Sequence, residues 1–154
     1  VPASCSRKKI LRRGGVAVSL AFSLKLKIFK NNQMSLSIFK EDSEKTYFSG
    51  EGCYINERFN EAHVPGGSLA KAILKPAMIT ENHLLTDTDE WYYILEGIGE
   101  MYLNGQFIGE VKSGEIVYIP QNTPQYIINT GMDDLVFLCF CVPAFDMAVY
   151  KKVE

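Results

Sequence analysis

From residue 54 onward apolar and polar side chains alternate with a period of two, in short runs broken by Gly, Pro and Asn. That period is the signature of half-buried β-strands. Residues 54–59 set Tyr54, Asn56 and Arg58 against Ile55, Glu57 and Phe59. Residues 68–75 set Leu69, Lys71, Ile73 and Lys75 against Ala70, Ala72 and Leu74. Two lysines on one face predict that this face is wet or at a sheet edge. Further strands are predicted over 78–84, 90–95, 99–103, 106–112, 115–119, 124–129 and 134–142. The last, LVFLCFCV, is apolar on both faces, which predicts burial on both sides. Asn104-Gly105 predicts a two-residue hairpin turn, because both residues tolerate the left-handed backbone it needs. No stretch after residue 34 carries a helical period, and the tail over 144–150 predicts a turn or two. The fold class is therefore all-β, a sandwich or a barrel.

Residues 35–49 are polar and read as a surface lead-in to these strands. Residues 1–33 break the pattern. Arg7, Lys8, Lys9, Arg12 and Arg13 precede an apolar run over 16–24, and Lys25, Lys27 and Lys30 follow it. No small-residue cleavage signal follows, and the run is too short to span a bilayer. Three readings of this leader stand: upstream translation with Met34 as the initiator, a targeting-like segment, or a basic arm. The expected domain is residues 34–154.

Composition narrows the class. The chain has 154 residues, 47% hydrophobic and 22% charged, in the range of an ordinary globular domain with a proper core. A net charge of -2 gives no basic surface for nucleic acid. Cys5, Cys53, Cys139 and Cys141 form no CxxC pair, so a zinc ribbon is not expected. Cys139 and Cys141 share a strand face and read as small buried hydrophobes, which suits a reducing, cytoplasmic compartment.

A few polar residues stand among apolar neighbours in the predicted strands: His83 and Glu90, then Gln125 and Asn129. The expectation is that they converge at the mouth of a small barrel. Strand alternation puts Tyr92 on Glu90's face and Trp91 and Tyr93 on the opposite one, to pack between sheets or at a dimer interface. Inward candidates for a substrate pocket are Tyr92, Ile94, Met101 and Ile127, with Phe140 also considered. Such a pocket is mostly apolar, suited to a small organic molecule rather than a polyanion.

The segment HLLTDTDEWYYILEG, starting at His83, resembles the first motif of the cupin family, in which a glycine precedes a His-x-His pair, a glutamate and a closing glycine. His83, Glu90 and Gly97 fall on the first His, the Glu and the closing Gly. Gly114, Pro120 and Asn129 match the spacing of the family's second motif. The chain departs from the pattern at four places. Ala77 and Asn122 stand where the motifs have Gly, Leu85 replaces the second His, and Gln125 replaces the His of the second motif.

The resemblance implies a cupin-type jelly-roll barrel (a double-stranded β-helix), a homodimer, and one divalent metal such as Zn, Mn or Fe. The ligands this sequence offers are His83, Glu90 and the Gln125 amide oxygen, with Asp87, Asp89 or His63 as substitutes. On that reading the protein is a metal-dependent dioxygenase, isomerase or lyase for a small organic acid or ring compound. A metal-free reading makes His83 a general base, oriented by a hydrogen bond to Glu90 that raises its pKa, with Tyr92 as proton donor. The third reading is a ligand-binding or sensory cupin without turnover.

Overall fold

The computed structural model describes residues 37–61 and 66–154, whose compact body runs from Ile38 to Glu154. The leader over 1–33 and His63 lie outside the described residues.

The strands follow one another as β1 (Tyr47–Phe48), β2 (Tyr54–Phe59), β3 (Ser68–Leu74), β4 (His83–Leu85), β5 (Asp89–Glu96) and β6 (Ile98–Leu103). Then come β7 (Gln106–Lys112), β8 (Ile116–Ile119), β9 (Gln125–Asn129), β10 (Leu135–Val142) and β11 (Tyr150–Lys152). They pair antiparallel in two sheets, ordered β1-β2-β3-β10-β5-β8 and β11-β4-β9-β6-β7. From β4 onward almost every connection carries the chain from one sheet to the other. This is the jelly-roll winding of a double-stranded β-helix, here with the sheets not closed into a full barrel.

Period-two burial drives the arrangement. On β5, Glu90, Tyr92 and Ile94 are buried while Tyr93 is exposed. On β9, Gln125, Ile127 and Asn129 point in. The middle of the barrel is a dry cluster that includes Leu74, Ile94, Met101, Ile127, Leu135 and Phe137. Each buried aliphatic or aromatic side chain there contributes roughly 1.5–3 kcal/mol. Polar residues sit at the two ends of that cluster. At one end Asn129 donates from Nδ2 to the carbonyls of Leu74 and Asp133, both at 2.8 Å, and accepts from the Gly131 amide at 2.9 Å. Asn129 is therefore a satisfied latch between strands and does not join the mouth, contrary to expectation. The other end holds His83, Glu90 and Gln125.

Several other expectations need correction. The strand predicted over 78–84 is cut to His83–Leu85, with one isolated bridge from Ile79 to Ile128. The preceding turn at Ala77 and the Thr80 hydroxyl, which accepts from the Ile127 amide at 2.9 Å, replace the regular ladder. β3 is an inner strand between β2 and β10, not an edge; its lysine face is wet, and Lys71 is ion-paired with Glu41. β10 is buried on one face only, because Phe140 and Val142 lie exposed on the outer side of the sheet. β1 and β11 carry too few residues to show a period, and β11 pairs with β4, opposite His83.

Candidate functional site

His83 and Gln125 are direct partners across the β4–β9 pairing, and Glu90 and Tyr92 face them from β5 on the opposite sheet. The imidazole Nδ1 lies 2.8 Å from the Glu81 carbonyl. A carbonyl only accepts, so Nδ1 carries the hydrogen and Nε2 presents a lone pair. That lone pair meets the Gln125 amide nitrogen at 2.8 Å. The same nitrogen is 2.7 Å from the Tyr92 hydroxyl and 3.2 Å from Glu90 Oε2. One amide thus ties together three functional side chains. Its own oxygen is buried without a hydrogen-bond partner among the described residues.

This geometry corrects the expected dyad. Both ring nitrogens of His83 are engaged elsewhere, so the Glu81 carbonyl, and not Glu90, orients the imidazole. Burial lowers the His83 pKa, so that the ring is neutral at pH 7. Glu90 moves the other way: desolvation first, and the charge of Glu51 second, push its carboxyl up to about 8. Burial likewise raises the Tyr92 hydroxyl well above its usual value. A neutral base and a protonated acid therefore stand on either side of one amide at neutral pH. Separation of this kind assigns acid and base roles in many active sites.

The groups floor a cavity of about 330 Å³ between the two sheets. His83, Glu90 and Tyr92 line it directly, along with Cys53, Cys139 and Cys141. Gln125 stands behind them, only 1% exposed. Ile94, Met101 and Ile127, expected to line a pocket, belong to the closed core, and Phe140 is on the outer face. Asp87 is exposed on a bend, and Asp89, the first residue of β5, accepts from the Gln121 amide at 2.9 Å; neither lines the cavity.

Tyr150 escaped the sequence reading. Its ring stacks on His83 with centroids 4.6 Å apart, and its hydroxyl donates to Glu81 Oε2 at 2.9 Å. A three-residue strand at the end of the chain carries no period that could have pointed there. Cys141 was read as a plain buried residue, and its thiol lies 3.6 Å from Glu90 Oε1.

A divalent ion is what the family resemblance implies, and the donor set decides whether one fits. His83 presents a usable lone pair, but its partner is an amide nitrogen, which does not ligate. Turned over, Gln125 would offer a neutral, weakly basic oxygen. Burial raises the Glu90 carboxyl to about 8, so an ion bound there would have to displace its proton. Among the described residues no group of three His, Cys, Asp or Glu side chains is placed to hold a metal. One imidazole, one carboxyl and one amide, with no third His, Cys, Asp or Glu placed to complete the set among the described residues, do not fit a tightly held ion.

The described residues match known proteins in sequence and in fold. A model of the cupin domain matches residues 71–141. An uncharacterised protein of Methanocaldococcus jannaschii, MJ1618, is 38% identical over 106 residues, covering 68% of this chain and 84% of that protein. This chain belongs to the cupin family. Among solved cupin-like structures, a variant of Streptomyces PAC13 with uridine superposes with a TM-score of 0.63 at 16% identity, over 77% of this cupin and 93% of that chain. PAC13 is described as a nucleoside dehydratase. A cupin 2 conserved barrel domain protein from Salinispora arenicola gives 0.60 at 14% identity, over 75% and 92% of the two chains. At these identities the likeness is one of fold.

Proposed function

We propose that this cupin binds a small organic molecule in the cavity and moves a proton on it without a resident metal, as an isomerase or a lyase that eliminates water. The observation that carries this reading is the convergence of the His83 lone pair, the Glu90 carboxyl and the Tyr92 hydroxyl around the Gln125 amide at the cavity floor. His83 is the base, fixed by the Glu81 carbonyl in the tautomer that accepts a proton at Nε2. Glu90 is the acid, and Tyr92 orients the substrate oxygen. Gln125 must swing away from His83 for the lone pair to reach a ligand. PAC13 supports the reading to the extent that a dehydratase is compatible with this barrel. Free thiols at Cys53, Cys139 and Cys141 suit a reducing compartment, and we place the protein in the cytoplasm. Among the described residues no helix is long and apolar enough to cross a membrane.

The test is exchange of carbon-bound hydrogen in D₂O, read by mass spectrometry across a library of small hydroxy and carbonyl compounds. Wild type is expected to label or dehydrate at least one compound, and His83→Gln to lower the rate at least about 100-fold while still binding it. Near-stoichiometric metal in the purified protein that disappears in Glu90→Ala would return the metal-dependent reading. Ligand binding with no exchange in wild type would leave a binding module.

A further inference from the structure

We infer that the ligand taken by this cavity is an organic cation, an ammonium group on an apolar body, with Glu51 as its counter-charge. The inference rests on the cavity being the ligand site, and it adds the charge of what enters.

The wall supplies the argument. Its ionisable carboxylic acids are Glu51, Glu57, Glu81 and Glu90, and no described lining residue is Lys or Arg. Two of the acids are already answered. Glu81 is ion-paired with Lys152, and Glu57 accepts from the Tyr47 hydroxyl at 3.2 Å. Glu90 is fully buried at the floor and held neutral. Glu51 is different: its carboxylate has neither a cation nor a hydrogen-bond donor among the described residues.

Its backbone is also tied down. The Glu51 amide donates to Ser49 Oγ at 3.2 Å, and its carbonyl accepts from the Glu81 amide at 2.7 Å. The next residue, Gly52, has φ of 84°, and a Cβ there would come within 2.7 Å of the Ile79 carbonyl. The loop is pinned against the barrel on both sides of a carboxylate that lines the cavity. Burial and the nearby charge of Glu81 both push its pKa up, as expected for an anion lacking its partner. A cation relieves that unfavourable field, whereas a second anion adds to it. Aromatic rings at Tyr47, Phe48, Phe59, Phe145 and Tyr150 also line this space, and their faces attract cations. The organic acid expected from sequence would find no positive group here.

Three probes of matched size decide it by calorimetry at pH 7: phenethylammonium, phenethyl alcohol and phenylacetate. The ammonium is expected to bind about tenfold tighter than the alcohol, with the acid weakest. Glu51→Gln should bring the ammonium down to the level of the alcohol and leave the alcohol unchanged. Acid binding as tight as ammonium binding, or an ammonium advantage that survives Glu51→Gln, overturns the inference and leaves the cavity reading intact. Failure of all three to bind wild type overturns both.

Discussion

Glu90 is the residue most changed by its surroundings. Burial and the Glu51 charge push its carboxyl to about 8 in the fold, against an ordinary value of 4.5. In the unfolded chain it ionises near the ordinary value, so the folded state binds the extra proton between these limits. The stability that Glu90 contributes is therefore fully present below about pH 4.5 and is lost as pH rises toward about 8. Each pH unit in that window weakens the fold by up to about 1.4 kcal/mol. Glu90→Gln keeps the shape and removes the titration. Urea denaturation between pH 5 and 8 should show a falling midpoint for wild type and a flatter one for the variant, and parallel profiles would mean that Glu90 is not held neutral. Strand alternation was enough to put Glu90 and Tyr92 on one face. The side-chain partners were not legible, because they come from residues far apart in sequence. Nothing local says that the His83 ring would turn to the Glu81 carbonyl, or that Tyr150 would cover it.

Turns explain why motif departures leave the elements intact. Ala77 and Asn122, which stand at motif glycines, have φ of 63° and 61°, alongside Gly97 at 84° and Gly114 at 89°. The motif thus records a left-handed backbone, which Asn adopts at little cost and Ala at more. Ala77→Gly is expected to raise stability by roughly 1 kcal/mol, seen as a higher urea midpoint with unchanged slope. A lower midpoint would mean that the methyl group packs usefully. At Gly97 there is a further demand, since a Cβ would lie 2.5 Å from the Asp134 carbonyl. The hairpin at Asn104-Gly105, with φ of 52° and 72°, was readable for the same backbone reason. Most strands were legible from their period. β1 and β11 were not, being two and three residues long, too short to show a period.

At the scale of the whole molecule, the described residues leave an apolar face of the six-stranded sheet uncovered. Tyr118 and Phe140 flank Trp91 on neighbouring strands, with ring centroids 5.2 and 6.0 Å from it. Tyr93 and Ile116 beside them are 43% and 66% exposed. We propose that the occupant of this face is a second copy of the chain, the homodimer that the family resemblance implies. Sedimentation velocity is expected to show a dimer for wild type and a monomer for Tyr118→Lys. A wild type that stays monomeric at all concentrations removes the assignment. The outward aromatics were legible as a strand face; that the described residues place no second layer over them was not, because a period of two does not say what lies on either side.

The imidazole at position 83 is clasped by a strand more than sixty positions further along. During synthesis the segment bearing it emerges well before its cover, and in the interval that edge of the five-stranded sheet is open. A nascent chain arrested short of Tyr150 should therefore display most of the barrel with a solvent-accessible histidine. Loss of that ring's reactivity toward diethyl pyrocarbonate would then mark the moment when winding is complete.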